Sequence, residues 1–180
     1  MRDILFVTSS EAKFKEALQV IPNLKRLEMV LPEIQELDAR KIVDNKLATV
    51  AQSVREVCLV EDTSLYCEGL SRLPGPLVKW FLKAMGCAGL AKLVLESDSN
   101  RAKALCLVGV LLDDSSRVFF EGEINGSIVN PRGGAGFGWD SIFQPDDSDK
   151  TFAEMDPEEK KIFSMRTKAF NKVADLLLSC

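Results

Sequence analysis

Two long, mostly apolar runs, residues 102–112 and 117–129, flank the short polar stretch Asp113-Asp114-Ser115-Ser116. Runs of that length read as strands, and a brief polar connection between them reads as a hairpin. A hairpin joins antiparallel neighbours, so at least part of the sheet in this chain is antiparallel. The spacing elsewhere predicts strands at 3–9, 24–31 and 57–61 and helices at 11–20 and 38–55. The expected fold class is therefore α/β with a mixed β-sheet flanked by helices, not a purely parallel doubly wound sheet.

Local signals refine this outline. Phe14, Ala17, Leu18 and Ile21 recur as one apolar face, and Ile42, Leu47, Val50 and Val54 form a second stripe that Asp38 can cap. Leu73-Pro74-Gly75-Pro76 reads as a rigid loop, because proline fixes φ and removes a donor. Two short helices follow at 77–85 and 88–96. Residues 130–138 form a glycine-rich loop. Asp156-Pro157-Glu158-Glu159 combines an N-cap, a proline at the first helical position and a capping box, and opens a helix or helix pair that runs to about Leu178. Ser164 can cap a second segment within it.

The 180 residues suit a single domain, 46% of them are hydrophobic, and the net charge is −4. An acidic balance argues against nucleic acid or an acidic membrane as partner, since both demand a basic field. No apolar stretch approaches the roughly 18 residues of a membrane span. The run Ile4-Leu5-Phe6-Val7 is too short for a signal peptide. Five cysteines without a CxxC pair indicate neither a disulfide framework nor a zinc site. Cys58 and Cys106 sit in apolar runs and read as core. A reducing, cytoplasmic location is expected.

The chain contains no histidine. Ser-His and Cys-His nucleophiles and histidine-bound metals are excluded, and a general base must be a carboxylate, lysine, tyrosine or cysteine. Carboxylates are concentrated where residues 57–60 run into Glu61-Asp62-Thr63-Ser64. Neighbouring side chains on a strand face opposite ways, so these acids share a surface only if the strand ends there. With Glu33 after Leu31-Pro32, they make a set that can hold Mg²⁺, which takes one or two carboxylates and leaves other positions to water and phosphate. Helix capping or solvated strand ends would explain any one of these acids equally well.

Four other segments can carry chemistry. Thr8-Ser9-Ser10-Glu11-Ala12-Lys13 places hydroxyls, a helix start and a lysine where a strand ends, which suits phosphate; a plain serine cap with a solvated lysine is the alternative. Residues 131–140, Pro-Arg-Gly-Gly-Ala-Gly-Phe-Gly-Trp-Asp, offer close backbone approach, flat rings at Phe137 and Trp139, and an acceptor at Asp140; a glycine turn between core aromatics is the alternative. Lys160 shares a helical face with Ser164 and Thr167, and Arg166 reaches the same region only if the helix breaks before Ser164. Lys79 follows the proline-rich turn, next to Trp80, which reads as core or as a dimer contact.

Taken in order, Phe6-Val7-Thr8 through Lys13, Leu31-Pro32-Glu33, Leu59-Val60-Glu61-Asp62-Thr63, Leu73-Pro74-Gly75-Pro76 through Lys79-Trp80-Phe81, Pro131-Arg132-Gly133, Phe137-Gly138-Trp139-Asp140, Thr151-Phe152-Ala153-Glu154-Met155 and Ser164-Met165-Arg166 make the chain resemble the inosine triphosphate pyrophosphatase family. The resemblance extends from Phe6 to Arg166. It implies an elongated sheet in one two-lobed domain spanning residues 1–180, with a central cleft for nucleotide, and a homodimer. It implies hydrolysis of non-standard purine nucleoside triphosphates (ITP, dITP, XTP) to the monophosphate and pyrophosphate.

Residue by residue, the resemblance assigns phosphate binding to Thr8, Ser10 and Lys13, with a further active-site lysine at Lys79. Metal binding falls on Glu33 and Asp62, with Mg²⁺ as the cation and Mn²⁺ as a substitute. Base binding falls on Phe137, Gly138, Trp139, Asp140, Lys160, Ser164, Met165 and Arg166. Asp62 or Glu61 is then expected to orient and deprotonate the attacking water, with Lys13 neutralising the leaving group. Arg166 is expected to donate to a 6-oxo group, which adenine lacks. Three positions depart from the family pattern. Ser10 stands where asparagine is usual, Met165 where histidine is usual, and Ser141 where proline is usual. A hydroxyl offers one donor on a short arm, and a thioether offers none. A nucleotide-binding protein of the same fold, with weak catalysis or a shifted base preference, is the alternative these departures raise.

Overall fold

In the computed structural model, which describes residues 4–112 and 116–179, the apolar run Ile4–Val7 forms strand β1. It lies between two parallel neighbours, β2 (Leu24–Leu27) and β3 (Cys58–Cys67). A strand with neighbours on both edges and cover on both faces needs no polar alternation, which is why four apolar residues occur in succession. The two long runs become β5 (Arg101–Leu111) and β6 (Arg117–Ile128). They are antiparallel: Leu112 N–H donates to Ser116 C=O at 3.0 Å near one end, and Ile128 N–H to Asn100 C=O at 2.8 Å near the other. The Asp3 start of the first anticipated strand, turn residues Asp113, Asp114 and Ser115, and Cys180 lie outside the described residues.

Two very short strands complete the sheet. β4 (Pro74–Gly75) pairs antiparallel with β3, and β7 (Phe143–Pro145) pairs antiparallel with β6. The order is β2-β1-β3-β5-β6-β7, with β4 beside β3. Parallel pairing at β1 and antiparallel pairing of β3 with β4, β5 with β6 and β6 with β7 give the mixed α/β sheet that the hairpin anticipates. The segment 73–76, expected only as a loop, therefore supplies a strand.

Five helices accompany the seven strands among the described residues. Ser10 caps α1 (Glu11–Leu18) and Asp38 caps α2 (Ala39–Val50), each side chain accepting a backbone N–H of the first turn. The two helices expected at 77–96 are one element, α3 (Val78–Leu95), with a kink at Gly86, whose φ of 67° and ψ of 178° are not helical. Asp156 and Glu159 form the full capping box of α4 (Pro157–Phe163), with Pro157 at its start. The chain turns extended at Ser164 before α5 (Met165–Ser179). No helix among the described residues is long and apolar enough to cross a membrane.

One expectation fails in an informative way. β3 does not end at the acids but continues through Glu61 and Asp62 to Cys67. The two carboxylates therefore leave the strand on opposite faces. Both are buried, a costly placement that only specific partners make tenable.

The described chain separates into two compact units. One comprises residues 4–63, 106–112, 116–122 and 165–179, and the other residues 64–105 and 123–164. In the first, the Phe6 and Phe170 rings meet edge-on at 5.3 Å. Helix α5 approaches β6 there with no side chain between the backbones: a Cβ on Gly122 would lie 2.0 Å from the Met165 carbonyl oxygen and 2.5 Å from the Ala169 nitrogen. In the second unit, Phe143 and Phe152 pack at 5.3 Å, and Leu90, Ala91 and Val94 turn the buried side of α3 inward. Cys58 and Cys106 are buried as expected, and so is Cys67.

Candidate active site

In the first unit, the turn between β1 and α1 is built by short polar side chains bonding to their own backbone, a habit that favours serine and threonine at helix starts. Thr8 Oγ1 accepts the Ser10 N–H at 3.1 Å, and Ser10 Oγ accepts the Lys13 N–H at 3.3 Å. Arg26 on β2 donates from Nε to the Thr8 carbonyl at 3.2 Å and from Nη2 to the Ser9 carbonyl at 3.1 Å. Lys13 extends from the first turn of α1 to Glu61, with Nζ 2.8 Å from Oε1.

Glu61 collects donors from four parts of the unit. Arg166, at the start of α5, donates from Nε to Oε2 at 2.8 Å and from Nη2 to Oε1 at 3.3 Å. The Thr63 hydroxyl reaches Oε1 at 3.3 Å, and the Cys106 thiol reaches Oε2 at 3.4 Å. Arg166 also donates from Nη2 to Thr63 and from Nη1 to Glu16. Burial alone would favour a neutral Glu61, but the charges of Arg166 and Lys13 overcome it and hold the group well below the usual carboxylate range. Burial pushes the Cys106 thiol well up, and the adjacent Glu61 charge adds to the effect.

On the opposite face of β3, Asp62 meets Lys46 of α2. Lys46 Nζ lies 3.0 Å from Asp62 Oδ1, 3.4 Å from Glu33 Oε1 and 3.0 Å from the Glu61 carbonyl oxygen. Burial works against the Lys46 ammonium, yet the charges of Asp62 and Glu33 outweigh it and the pKa is raised. Asp62 is raised as well, because its loss of water, helped by the nearby Glu33 charge, exceeds what Lys46 and Lys13 return. Two carboxylates thus converge on the Lys46 ammonium. Among the described residues, no group of three or more His, Cys, Asp or Glu is arranged around a metal position; Glu33 and Asp62 together make a two-carboxylate set.

The second unit carries the aromatic loop. Phe137 N–H donates to Asp140 Oδ2 at 2.8 Å, and Lys160 Nζ lies 2.7 Å from the same oxygen. Lys160 also sits 4.7 Å from the centre of the Phe137 ring, a cation–π distance. Gly136 has φ 90°, and a Cβ there would fall 2.5 Å from Asp140 Oδ2, so glycine is required twice over. Gly138 (φ 63°) accepts the Cys87 thiol through its carbonyl at 3.1 Å. Trp139 is buried, and its indole Nε1 has no hydrogen-bond partner among the described residues. Ser164 is buried where α4 stops, its N–H bonded to the Lys160 carbonyl at 2.8 Å. Met165 is buried at the start of α5. Lys79 lies in the first turn of α3, its ammonium 5.9 Å from the Trp80 ring. Trp80 is 45% exposed and is not a core residue.

The structure therefore brings Thr8, Ser10, Lys13, Glu33, Glu61, Asp62 and Arg166 together within one unit. Phe137, Gly138, Trp139, Asp140 and Lys160 gather in the other. Sequence reasoning missed Lys46, Glu16, Cys106 and Arg26. Lys46 had a usable signal, for it lies one turn after Ile42 and one before Val50, a charge on an apolar stripe.

Known proteins are similar to this chain in sequence and in fold. The model of the Ham1 family matches residues 4–176. A protein named inosine triphosphate pyrophosphatase from Schizosaccharomyces pombe is 38% identical over 183 residues, covering 99% of this chain and 97% of the relative. Inosine triphosphate pyrophosphatase 2 from Trypanosoma cruzi is 39% identical over 171 residues, covering 92% and 87%. The solved structure of a HAM1 protein from Coxiella burnetii superposes with a TM-score of 0.85 at 22% identity, over 100% of both chains. That of a nucleoside-triphosphatase, or dITP/XTP pyrophosphatase, from Mycobacterium abscessus gives 0.75 at 24% identity, over 97% and 98%.

Proposed function

The chain belongs to the Ham1 family, and we propose that it hydrolyses non-standard purine nucleoside triphosphates such as ITP, dITP and XTP to the nucleoside monophosphate and pyrophosphate. The observation that supports this best is the division of labour along β3. Glu61 is wrapped by cations and fixed as an anion, while Asp62 stands on the other face beside Glu33.

A carboxylate held far below its usual range is a weak base, so Glu61 acts as a positioning residue that holds Lys13 and Arg166. Asp62, whose proton affinity is raised, is the better acceptor for a water proton. In this reading the water oxygen attacks the α-phosphorus, the bond to the bridging α–β oxygen breaks, the proton passes to Asp62, and pyrophosphate departs. Thr8, Ser10, Lys13 and Lys79 bind the phosphate groups. Glu33 and Asp62, which meet at the Lys46 ammonium, would hold a hard divalent cation such as Mg²⁺, with Mn²⁺ as a substitute, through carboxylate oxygens beside Lys46. Bound there, such an ion neutralises charge on phosphate oxygens. Lys46 holds the two carboxylates in register.

For the base, Phe137 supplies a flat face, Asp140 and Lys160 polar groups, and Trp139 a buried donor that a ring acceptor satisfies. Ser164 and Met165 complete this set. With its Nε, Nη1 and Nη2 atoms bonded to Glu61, Glu16 and Thr63, Arg166 serves first as the brace of Glu61 and second as a donor to a 6-oxo group. The chain acts as one domain and forms a homodimer, for which Trp80 and Met85 on α3 offer exposed apolar surface.

Pyrophosphate release from ITP, XTP, GTP, ATP and dUTP, with and without Mg²⁺, tests the proposal. Release confined largely to ITP and XTP and dependent on the cation is expected. Nucleotide binding without release, or a preference for dUTP, would replace this reading with the binding-protein or shifted-specificity alternative.

A further inference from the structure

Arg26 lies outside every motif that carries the resemblance, yet it reaches the phosphate turn with both arms. It sits on β2, opposite Phe6 in the parallel register, and its guanidinium crosses the end of β1. Nε donates to the Thr8 carbonyl at 3.2 Å and Nη2 to the Ser9 carbonyl at 3.1 Å. Glu28, two residues on along the same edge, holds Nη2 at 3.3 Å and steadies the fork. The Arg26 side chain is 24% exposed; its bond to the Thr8 carbonyl is half-buried, and its bond to the Ser9 carbonyl lies at the surface.

The consequence follows from peptide geometry. A trans peptide is planar, with its C=O and N–H pointing in opposite directions. Drawing the Thr8 carbonyl toward Arg26 turns the Ser9 N–H away from it, and drawing the Ser9 carbonyl in turns the Ser10 N–H away, where Thr8 Oγ1 accepts it at 3.1 Å. The turn is thereby fixed from behind by a cation and from within by a hydroxyl. The Ser9 N–H and the start of α1 are presented on the side away from Arg26, while the Ser10 N–H is held by Thr8. The guanidinium, its charge partly offset by Glu28, also lies one peptide behind the turn, where a polyanion gains from the remaining positive potential.

We propose that Arg26 is a positioning residue for the phosphate chain, which orients the peptides of Thr8 and Ser9 so that the turn grips the leaving pyrophosphate. This rests on the reading of the turn as the phosphate site given above. The guanidinium fork on β2 thereby performs a task that Ser10, with its single hydroxyl committed to capping α1, does not.

Titration calorimetry with inorganic pyrophosphate and with inosine separates the two ends of the ligand. Because charge-assisted bidentate bonds are lost, Arg26→Ala is expected to weaken pyrophosphate binding by about 10- to 100-fold, leave inosine binding within about twofold, and raise KM for ITP more than it lowers kcat. Arg26→Lys, which keeps the charge but not the fork, should recover only part of the loss. Arg26→Gln, which keeps one neutral donor, should recover less. Unchanged pyrophosphate affinity in Arg26→Ala overturns the proposal, as does an equal loss of inosine and pyrophosphate binding, or full recovery in Arg26→Gln. If Arg26→Ala does not fold, the Lys and Gln variants decide by the same ratios. Failure of the unmodified protein to release pyrophosphate from ITP counts against the hydrolase reading, whereas the pyrophosphate affinities judge Arg26 separately.

Discussion

Arg166 and Glu61 stand 105 residues apart in sequence, and in the folded chain Arg166 Nε lies 2.8 Å from Glu61 Oε2, with both side chains only 2% exposed. A charge pair so deeply buried contributes little when intact and costs heavily when broken, because the surviving partner has nowhere to solvate. Glu61→Gln is expected to lower unfolding free energy by about 3–5 kcal/mol, read by urea denaturation at pH 7. The sign with pH is set by the depressed Glu61 pKa. Its contribution is present above the ordinary value of 4.5 and is lost as pH falls toward its folded value. The stability gap between the two proteins should close as acid is added, and a gap that stayed constant down to pH 2.5 would contradict the assignment.

Asp62 and Glu33 are predicted to differ in how their loss is felt. Asp62→Asn removes the proton acceptor and should reduce ITP turnover by about 10²–10³-fold. Glu33→Gln leaves that acceptor in place and should mainly raise the Mg²⁺ concentration needed for half-maximal rate. A chelator should abolish pyrophosphate release from the unmodified protein, and added Mg²⁺ should restore it. Steady-state rates across a Mg²⁺ series check all three outcomes.

Trp139 poses a trade between stability and binding. Its buried indole N–H lacks a partner among the described residues, a situation that costs about 1–3 kcal/mol. Trp139→Phe removes that donor along with part of the ring volume, so the melting temperature is expected to hold within a few degrees. The KM for ITP should rise by roughly tenfold, the worth of one well-made hydrogen bond. A melting temperature that collapses alongside KM would identify Trp139 as core instead.

Lys160 and Asp140 define the last test. Lys160→Met leaves Asp140 buried without its cation and withdraws the ammonium from Phe137. Inosine binding should weaken by at least tenfold while pyrophosphate binding stays level. Double substitution with Asp140→Asn should cost less stability than the two single changes added together, since the buried charge disappears with its partner.

Much of this was legible from sequence where the signal was local. The Asp156-Pro157-Glu159 capping box, the Asp38 cap and the long strands β5 and β6 appear within a residue or two of their expected places. Glu61 misled, because two adjacent acids suggest a strand end, and nothing nearby announces the Arg166, Lys13 and Cys106 side chains that make a buried carboxylate tenable. Lys46 was missed for the same reason: its partners Glu33 and Asp62 come from a loop and another strand. β4 and β7 escaped because each is two or three residues long and contains proline, a residue tolerated only at sheet edges and strand starts.

Gly122 carries a consequence of its own. Helix α5 rests backbone against backbone on that one position, so the missing methyl sets the altitude at which the helix begins, and with it the reach of Arg166. An alanine there would act as a shim under the helix, and strand β3 would register the displacement although the substitution touches none of its atoms.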